Sequence, residues 1–295
     1  MIIEINNLTK DYGNNKGIFD INMEITKGEI FGFLGPNGAG KTTTIRNLMG
    51  FIKPDKGTCK ISELDCFINA DMVQENVGYI PGETAFMNDM TGIEFIKFIA
   101  SYRNLNSLDN ANRLIKRFDL DPNVRIKRMS KGMKQKVAIV LAFMHDPDIL
   151  ILDEPTSGLD PLMQKEFIKL LLEEKEKGKT ILMSSHIFEE IEKTCDRVSI
   201  IKDGKIVSTD KIENLKKFGN KVYTISFKND NDLEKFKEAG FYISNIFENK
   251  ITVTVSDDVD KLIKVLSKYN IIDLNEEKQN LEDIFMKFYG GDNND

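Results

Sequence analysis

The chain has 295 residues, enough for one large or two ordinary domains, and 41 Lys and Arg against 47 Asp and Glu give it a net charge of −6. This acidic balance argues against broad nucleic-acid binding, which depends on a basic surface. The three cysteines have neither the density of a disulfide framework nor metal-ligand spacing, so they fit a reducing cytosol. The N-terminus predicts a strand instead of a signal peptide, and no apolar run approaches the roughly 18 residues that span a bilayer, so we expect any membrane role to come through a partner.

The N-terminal region predicts an antiparallel, hairpin-like unit. Residues 2–6 and about 18–25 alternate apolar and polar side chains, which is the period of a strand with one buried face. Tyr12 lies in the turn between these strands, and residues 26–29 predict the turn that follows. This unit precedes the strand that leads into the strongest motif of the chain.

A complete G-x-x-x-x-G-K-[ST] motif stands between a predicted buried strand, residues 30–34, and a helix predicted to open at Thr42. Its residues are Gly35, Pro36, Asn37, Gly38, Ala39, Gly40, Lys41 and Thr42, followed by Thr43. The glycines let the backbone curl so that N–H groups point at phosphate oxygens, and the helix adds its positive N-terminal end. Lys41 would reach the β- and γ-phosphates, and the Thr42 hydroxyl would ligate Mg²⁺. A glycine-rich turn before an ordinary helix is the alternative.

Strands and helices alternate through the next part of the chain. Strands are predicted over residues 57–61, 77–80, 149–152 and 180–185, and helices over residues 91–115, 130–144 and 161–177. The first two strands are predicted as one set. The alternation indicates a parallel sheet covered by helices.

A second domain is predicted after residue 217, where the pattern resets. Its strands are predicted over residues 221–227, 242–248, 250–256 and 271–276, and its helices over residues 232–239, 258–269 and 280–289. The β-α-β-β-α-β order that precedes the last helix is the ferredoxin-like arrangement. Since this domain has apolar faces and no catalytic cluster, we predict that it contributes to a dimer contact.

Two carboxylates, Asp153 and Glu154, follow the apolar run Ile149–Leu152. Open α/β sheets bind their ligands at the carboxyl ends of strands, so both side chains are expected at the ligand edge. Asp153 suits the Mg²⁺ shell, and Glu154 could polarise a water for in-line attack on a γ-phosphate. An exposed acidic turn is the alternative.

Five motifs in order and spacing resemble the ATP-binding cassette of ABC transporters. They are the phosphate loop, Met129–Gln135, Ile149–Glu154, Ser157–Asp160 and Ser185–His186, within about residues 1–215. The resemblance implies an α/β fold: a P-loop NTPase with a RecA-like core, an antiparallel β subdomain and a helical subdomain at about residues 84–146. With the ferredoxin-like α+β domain, the expected domains are residues 1–217 and 218–295.

The resemblance also implies an ATPase that uses ATP and Mg²⁺ and works as a head-to-tail dimer of two cassettes. Two ATP molecules would lie at the interface, with the phosphate loop of one cassette facing Ser130 and Gly132 of the other. Asp160 looks like the D-loop aspartate of the family. By residue type alone, a serine hydroxyl and a glycine N–H at the start of a helix suit a γ-phosphate, although such a serine is also an ordinary N-cap.

Two further residues take their expected roles from the resemblance. His186 looks like the switch histidine, placed to touch the γ-phosphate and steady the attacking water. Tyr12 looks like the aromatic residue that stacks on adenine. A structural histidine and a packing aromatic are the alternatives. The expected catalytic residues are therefore Glu154, His186 and Lys41.

One position departs from the family. A glutamine usually follows the strand that here ends before Pro81, whereas this chain has Gly82 and then Glu83. Gly82 has no side chain to contact Mg²⁺ or to couple the site to a membrane partner. We hypothesise that Glu83 or a water supplies the missing oxygen ligand. Equal Mg²⁺ dependence of ATP hydrolysis in the wild type and in Glu83→Ala would rule out the Glu83 version.

The C-terminal domain and the Met-Ser-Lys-Gly-Met-Lys-Gln wording look most like cassettes of bacterial exporters, which pair with separate integral-membrane permease subunits. These often carry drugs, antibiotics, peptides or lipids. The expected location is therefore cytoplasmic, peripheral on the inner face of the cell membrane. A soluble non-transport ABC ATPase and an ATP-sensing regulatory module are the alternatives, but neither a tandem cassette nor a basic block is present.

Overall fold

The computed structural model describes residues 1–217, 221–255 and 259–277. The chain divides into two compact units, Met1–Ile212 and Glu213–Asp295. The predicted boundary after residue 217 falls slightly C-terminal to this division and stays a prediction. In the described ranges, no helix is both long and apolar enough to cross a membrane.

The N-terminal strands form an antiparallel sheet of four strands. In spatial order these are β2 (Gly17–Ile25), β1 (Ile3–Asp11), β4 (Lys56–Ile61) and β5 (Leu64–Asp65). Ile5 of β1 lies opposite both Met23 and Cys59, and alternate side chains of β1 and β2 are buried, as their sequence period predicts. The predicted antiparallel region is thus present.

The second sheet of the first unit has six strands. In spatial order these are β10 (Lys205–Lys211), β9 (Arg197–Lys202), β3 (Ile30–Leu34), β8 (Thr180–Ser185), β7 (Ile149–Asp153) and β6 (Val77–Ile80). The strands from β9 to β6 are parallel, and β10 is antiparallel to β9. All residues of β3, β7 and β8 are buried, because helices and the other sheet cover both faces. The two strands predicted as one set, β4 and β6, lie in different sheets.

Eight helices occur in the described part of the chain up to residue 217. They are α1 (Lys41–Leu48), α2 (Ala70–Asn76), α3 (Gly92–Tyr102), α4 (Asp109–Arg117), α5 (Lys131–Phe143), α6 (Pro161–Glu176), α7 (Phe188–Thr194) and α8 (Ile212–Lys217), with a 3-10 turn at Ile126–Arg128. The single helical stretch predicted over residues 91–115 is divided into α3 and α4. A capping box of Thr91 and Glu94 begins α3, and the Asp160 side chain begins α6 ahead of Pro161.

One hydrophobic core joins the two sheets of the first unit through α1. It contains Ile45 and Leu48 of α1, Ile5 of β1 and Ile151 of β7, all fully or almost fully buried. Burial of an aliphatic side chain of this size contributes about 1.5–3 kcal/mol. The first turn of α1, and with it the phosphate loop, is therefore held firmly at the carboxyl end of β3.

The second unit has a core of its own beneath an antiparallel sheet. Its elements are β11 (Lys221–Phe227), α9 (Asp230–Lys237), β12 (Tyr242–Phe247), β13 (Lys250–Val255), α10 (Val259–Leu266) and β14 (Ile271–Glu277). The strand order is β12-β13-β11-β14, and the element order is the predicted β-α-β-β-α-β. Phe227 and Phe236 centre its core. The helix predicted over residues 280–289 lies outside the described residues.

His145, in the turn between α5 and β7, makes stability depend on pH. Burial, helped by the charge of Arg103, lowers the pKa of its imidazole to about 4. Below about pH 6.5 the imidazole is therefore protonated in the unfolded chain but still neutral in the folded protein. We expect the free energy of unfolding to fall as pH drops from about 6.5 toward 4, with a slope of at most about 1.4 kcal/mol per pH unit from this group.

Urea unfolding of the wild type and of His145→Gln across pH 4 to 8 measures this contribution. Since glutamine does not titrate, the stability difference between the two proteins should shrink steadily as pH falls below about 6.5 and stay constant above about 7.5. A difference that is the same at every pH would contradict the prediction.

Candidate functional site

A cleft of about 460 Å³ opens beside the phosphate loop in the first unit. It is lined by these predicted site residues: Tyr12, Pro36, Asn37, Gly38, Gly40, Lys41, Thr42, Thr43 and Glu154. The loop, the turn after β7 and the turn after β1 each contribute, so the cleft brings together segments far apart in sequence. It lies at the edge of the sheet formed by the carboxyl ends of parallel strands such as β3 and β7, as expected for an open α/β sheet.

The glycines of the phosphate loop are required by close packing. Gly40 immediately precedes α1 with φ of +114°, and a Cβ there would lie 2.6 Å from Cγ2 of Ile18. At Gly35 a Cβ would lie 2.6 Å from the carbonyl oxygen of Ile201. Real Cβ atoms do not approach other atoms so closely, so only glycine lets the loop curl at these positions.

Lys41 is the cation at the base of the cleft and only 5% exposed. Its Nζ donates to the carbonyl oxygens of Gly35 at 2.6 Å and Pro36 at 3.2 Å, and lies 3.1 Å from Oε1 of Glu154. A buried ammonium needs such partners, because its desolvation is costly. The side chain therefore folds back along the loop, against the carboxylate at the end of β7.

Asp153 ends β7 and is fully buried. Its Oδ1 accepts a 2.5 Å hydrogen bond from Oγ of Ser184, while Oδ2 has no hydrogen-bond partner in the described ranges of the chain. A Cβ built on Gly82 would lie 2.8 Å from this Oδ2 and 3.7 Å from Oγ1 of Thr42, so both oxygens border one small space beside Gly82. Carboxylate and hydroxyl oxygens facing a common space are a donor set that suits Mg²⁺.

Glu154 joins the two other expected catalytic residues. Its Oε2 lies 2.6 Å from Nδ1 of His186, and its Oε1 faces Lys41. Its backbone is in the left-handed region, with φ of +49°. Its N–H donates to the hydroxyl oxygen and the carbonyl oxygen of Ser184. A non-glycine residue pays for this conformation, so the turn after β7 is held in one shape that aims the carboxylate.

Ser130, Gly132 and Asp160 do not line the cleft. The Ser130 hydroxyl accepts from the backbone N–H of Met133 at 3.2 Å and so caps α5, as its alternative interpretation states. Asp160 caps α6 in the same way. A Cβ on Gly132 would lie 2.6 Å from the carbonyl oxygen of Gly158. The start of α5 therefore packs closely against the turn before α6. In the part of the chain that the structure describes, these residues therefore cap and pack helices.

Several residues of the cleft are not among the predicted site residues. They are Asn15, Lys16, Gly17, Asp203 and Gly204. The N–H of Gly204 donates to the carbonyl oxygen of Ala39 at 3.0 Å. A Cβ on Gly204 would lie 2.4 Å from the carbonyl oxygen of Gly17. The Asp-Gly dipeptide between β9 and β10 is a recognisable turn signal, but it does not reveal that the turn reaches the phosphate loop.

Tyr12 lies at the outer end of the cleft with its side chain 55% exposed. Nζ of Lys10 lies 5.9 Å from the centre of its ring. An exposed aromatic face beside a phosphate-binding loop can stack on a planar base. Glu83 is exposed and is not part of the cleft lining, so its proposed role as an oxygen ligand stays a prediction.

Comparison with known proteins identifies similar chains. The family described as ABC transporter matches residues 18–157. The bacitracin transport ATP-binding protein BcrA of Bacillus licheniformis is 34% identical over 299 aligned residues, which cover 98% of each chain. A solved ATP-binding subunit of an ABC transporter is 30% identical, with a TM-score of 0.67 over 74% of this chain and 92% of that one. A dimeric bacterial ABC transporter cassette has a TM-score of 0.64 at 23% identity, over 71% of this chain and 98% of that one, and shares the fold.

Proposed function

Because this chain belongs to the family of ABC transporter ATP-binding proteins, we propose that it closes head to tail with a second cassette around two ATP and powers export through a separate membrane subunit. It is the ATP-hydrolysing, nucleotide-binding subunit of a transporter. The observation that carries the proposal for the site is the contact of Glu154 with both Lys41 and His186. These residues come from three separate segments, and each suits one part of phosphoryl transfer.

In the proposed reaction, the phosphate-loop N–H groups and Lys41 hold the β- and γ-phosphates. Glu154 accepts a proton from the attacking water, and His186, hydrogen-bonded to Glu154, steadies that water and the γ-phosphate. Tyr12 stacks on the adenine ring. Oδ2 of Asp153 and the hydroxyl of Thr42 would hold Mg²⁺, which would supply neutralisation of the phosphate charge.

The second half of each site comes from the partner cassette. Ser130 and Gly132 stand at the N-terminus of α5, where a serine hydroxyl and backbone N–H groups can donate to a γ-phosphate. They do not line the cleft of their own chain, which agrees with a role across a dimer interface. The second unit is proposed to add to the dimer contact.

For the cargo, the proposal follows the relative named for bacitracin transport, whose similarity covers 98% of both chains and so includes the second unit. We place the transported substrate among drugs, antibiotics, peptides or lipids. The protein would then act from the cytoplasm, bound to the inner face of the membrane through a permease subunit.

A mixing experiment tests the composite site. Ser130→Asp keeps an N-cap side chain but places a negative charge against the γ-phosphate, and Lys41→Met removes the phosphate-loop cation. Each variant alone should have almost no ATPase activity. A mixed dimer keeps one intact site, so equal mixing should restore roughly a quarter of wild-type phosphate release, since about half of the dimers are mixed.

The matched control is Ser130→Asn, which caps α5 without adding a charge and should lose less activity than Ser130→Asp. Equal losses in the two variants, or no recovery at any mixing ratio, would contradict a site shared between two cassettes.

A further inference from the structure

A buried carboxyl group that none of these roles uses lies in α7, directly beyond His186. Glu190 is 5% exposed. Its Oε2 accepts a 3.0 Å hydrogen bond from Oγ of Ser185, the residue before His186, and its Oε1 has no hydrogen-bond partner among the residues that the structure describes. Burying a carboxyl group so poorly paired is costly. A leucine or methionine at this position would be buried without the desolvation free energy that a carboxyl group costs. Stability alone therefore does not explain a glutamate here.

Ser185 links Glu190 to the catalytic segment. Its Oγ donates to Glu190 and accepts from the backbone N–H of Ile187 at 2.9 Å, so the hydroxyl holds the chain on both sides of His186. Its carbonyl oxygen accepts from the N–H of Gly35 at 3.4 Å, the first residue of the phosphate loop. The position of Ser185 therefore sets both the direction of His186 and the end of the phosphate loop nearest to it.

The Thr156 hydroxyl group lowers the pKa of Glu190 and so partly offsets the effect of burial. Thr156 is 3% exposed and stands two residues after Glu154, in a turn closed by the 3.1 Å bond from the N–H of Ser157 to the carbonyl oxygen of Glu154. The hydrogen bond that Glu190 accepts comes from the segment that carries His186, whose Nδ1 lies 2.6 Å from Oε2 of Glu154.

The electrostatic surroundings favour the neutral form of this group. Burial raises the pKa of Glu190, the hydroxyls of Thr156 and Ser185 hold it down only in part, and the charge of Glu154 raises it further while His186 lowers it.

We propose that Glu190 is a positioning residue for ATP hydrolysis, whose buried carboxyl group holds Ser185 by a hydrogen bond and so keeps the next residue, His186, in contact with Glu154. The inference rests on the proposed roles of Glu154 and His186. Glu190 acts through hydrogen bonds rather than charge. Glutamine should therefore replace it, because an amide oxygen still accepts from Ser185, whereas alanine should not.

Steady-state phosphate release by the full chain, measured against Mg-ATP concentration, is the first test. Glu190→Ala should lower kcat about tenfold and change KM less than about twofold, because misplaced catalytic groups slow the reaction without weakening nucleotide contacts. Glu190→Gln should keep kcat within about threefold of wild type. Glu189→Ala, a neighbour on α7 that is 74% exposed and pairs only with Lys193, is the matched control and should have no effect.

Ser185→Ala removes the same hydrogen bond from its other end. It should lower kcat to a similar extent, and the double variant should be little worse than either single one, since two residues of one contact are not additive. Full activity in Glu190→Ala, equal losses in the alanine and glutamine variants, or additive losses with Ser185→Ala would each overturn the proposal.

A second readout needs no turnover. The chain has two histidines, His145 and His186, so the Cε1–Hε1 region of a ¹H–¹³C spectrum contains one imidazole signal from each. Glu190→Ala should shift or broaden the His186 signal and leave the His145 signal in place, whereas Glu190→Gln should leave both. An unmoved His186 signal overturns the positioning role. If the His186 signal changes as expected in the two Glu190 variants but the wild type hydrolyses no ATP, the result contradicts the proposed function and not the positioning role.

Discussion

In the Glu154→Gln variant, ATP hydrolysis should fall at least about a hundredfold while ATP binding persists. The amide cannot accept the proton of the attacking water, but it has the shape of the carboxylate and leaves the phosphate loop unchanged. It also removes the negative charge that lies 3.1 Å from Nζ of Lys41 and 2.6 Å from His186, which frees both groups for the nucleotide. The variant should therefore hold ATP and stay in the closed dimer.

Phosphate release and light scattering, each with and without Mg-ATP, measure these two effects. Wild type should hydrolyse ATP, and the variant should change from monomer to dimer when Mg-ATP is added. Glu189→Gln, an equivalent change on an exposed part of α7, should behave as wild type. A variant that stays monomeric although it binds ATP would show that closure needs the membrane partner, and hydrolysis at the wild-type rate would remove Glu154 from its proposed role.

Loss of the phosphate-loop cation should have a comparable effect, but on binding. In Lys41→Met the affinity for Mg-ATP should fall at least about a hundredfold, because a charged contact to the phosphates is replaced by an apolar side chain of similar length. Lys41→Arg should not restore binding, since the planar guanidinium group cannot enter a pocket closed by the carbonyl oxygens of Gly35 and Pro36.

Equilibrium titration with Mg-ATP measures the affinity directly. Lys16 lines the same cleft but is exposed, so Lys16→Met is the matched control and should weaken binding only a few-fold. The two lysines thus separate a buried contact at the phosphates from general attraction by the positive charge of the cleft. Equal losses in the two variants would contradict the special role of Lys41.

Much of the fold follows from local patterns. Buried parallel strands β3, β7 and β8 are predicted within about one residue, since fully covered strands carry continuous apolar runs bounded by turns. Helices α5 and α6, which have Ser130 and Asp160 as their N-cap residues, are predicted equally well. The short α2 and α7 are not predicted, because each has too few residues for a helical period to be recognised.

Partner choice in the sheets is decided by the tertiary structure. β4 and β6 are predicted together as one set, yet β4 pairs with β1 and β6 with β7. Alternation of side chains shows which face of a strand is buried but not which strand lies beside it. That choice depends on how both sheets enclose α1.

The chemistry of the phosphate loop can be read from the local sequence, because a short run of glycines followed by Lys41 and Thr42 fixes the backbone shape and its charges. It also placed Asp153 and Glu154 at the end of a strand, where ligands bind. Which groups meet there depends on the packing of distant segments. The contact of Glu154 with His186 spans 32 residues, and the turn at Gly204 supports Ala39. These contacts are set by the packing of separate strands and helices, and side-chain packing between distant segments leaves no periodic signal in the chain.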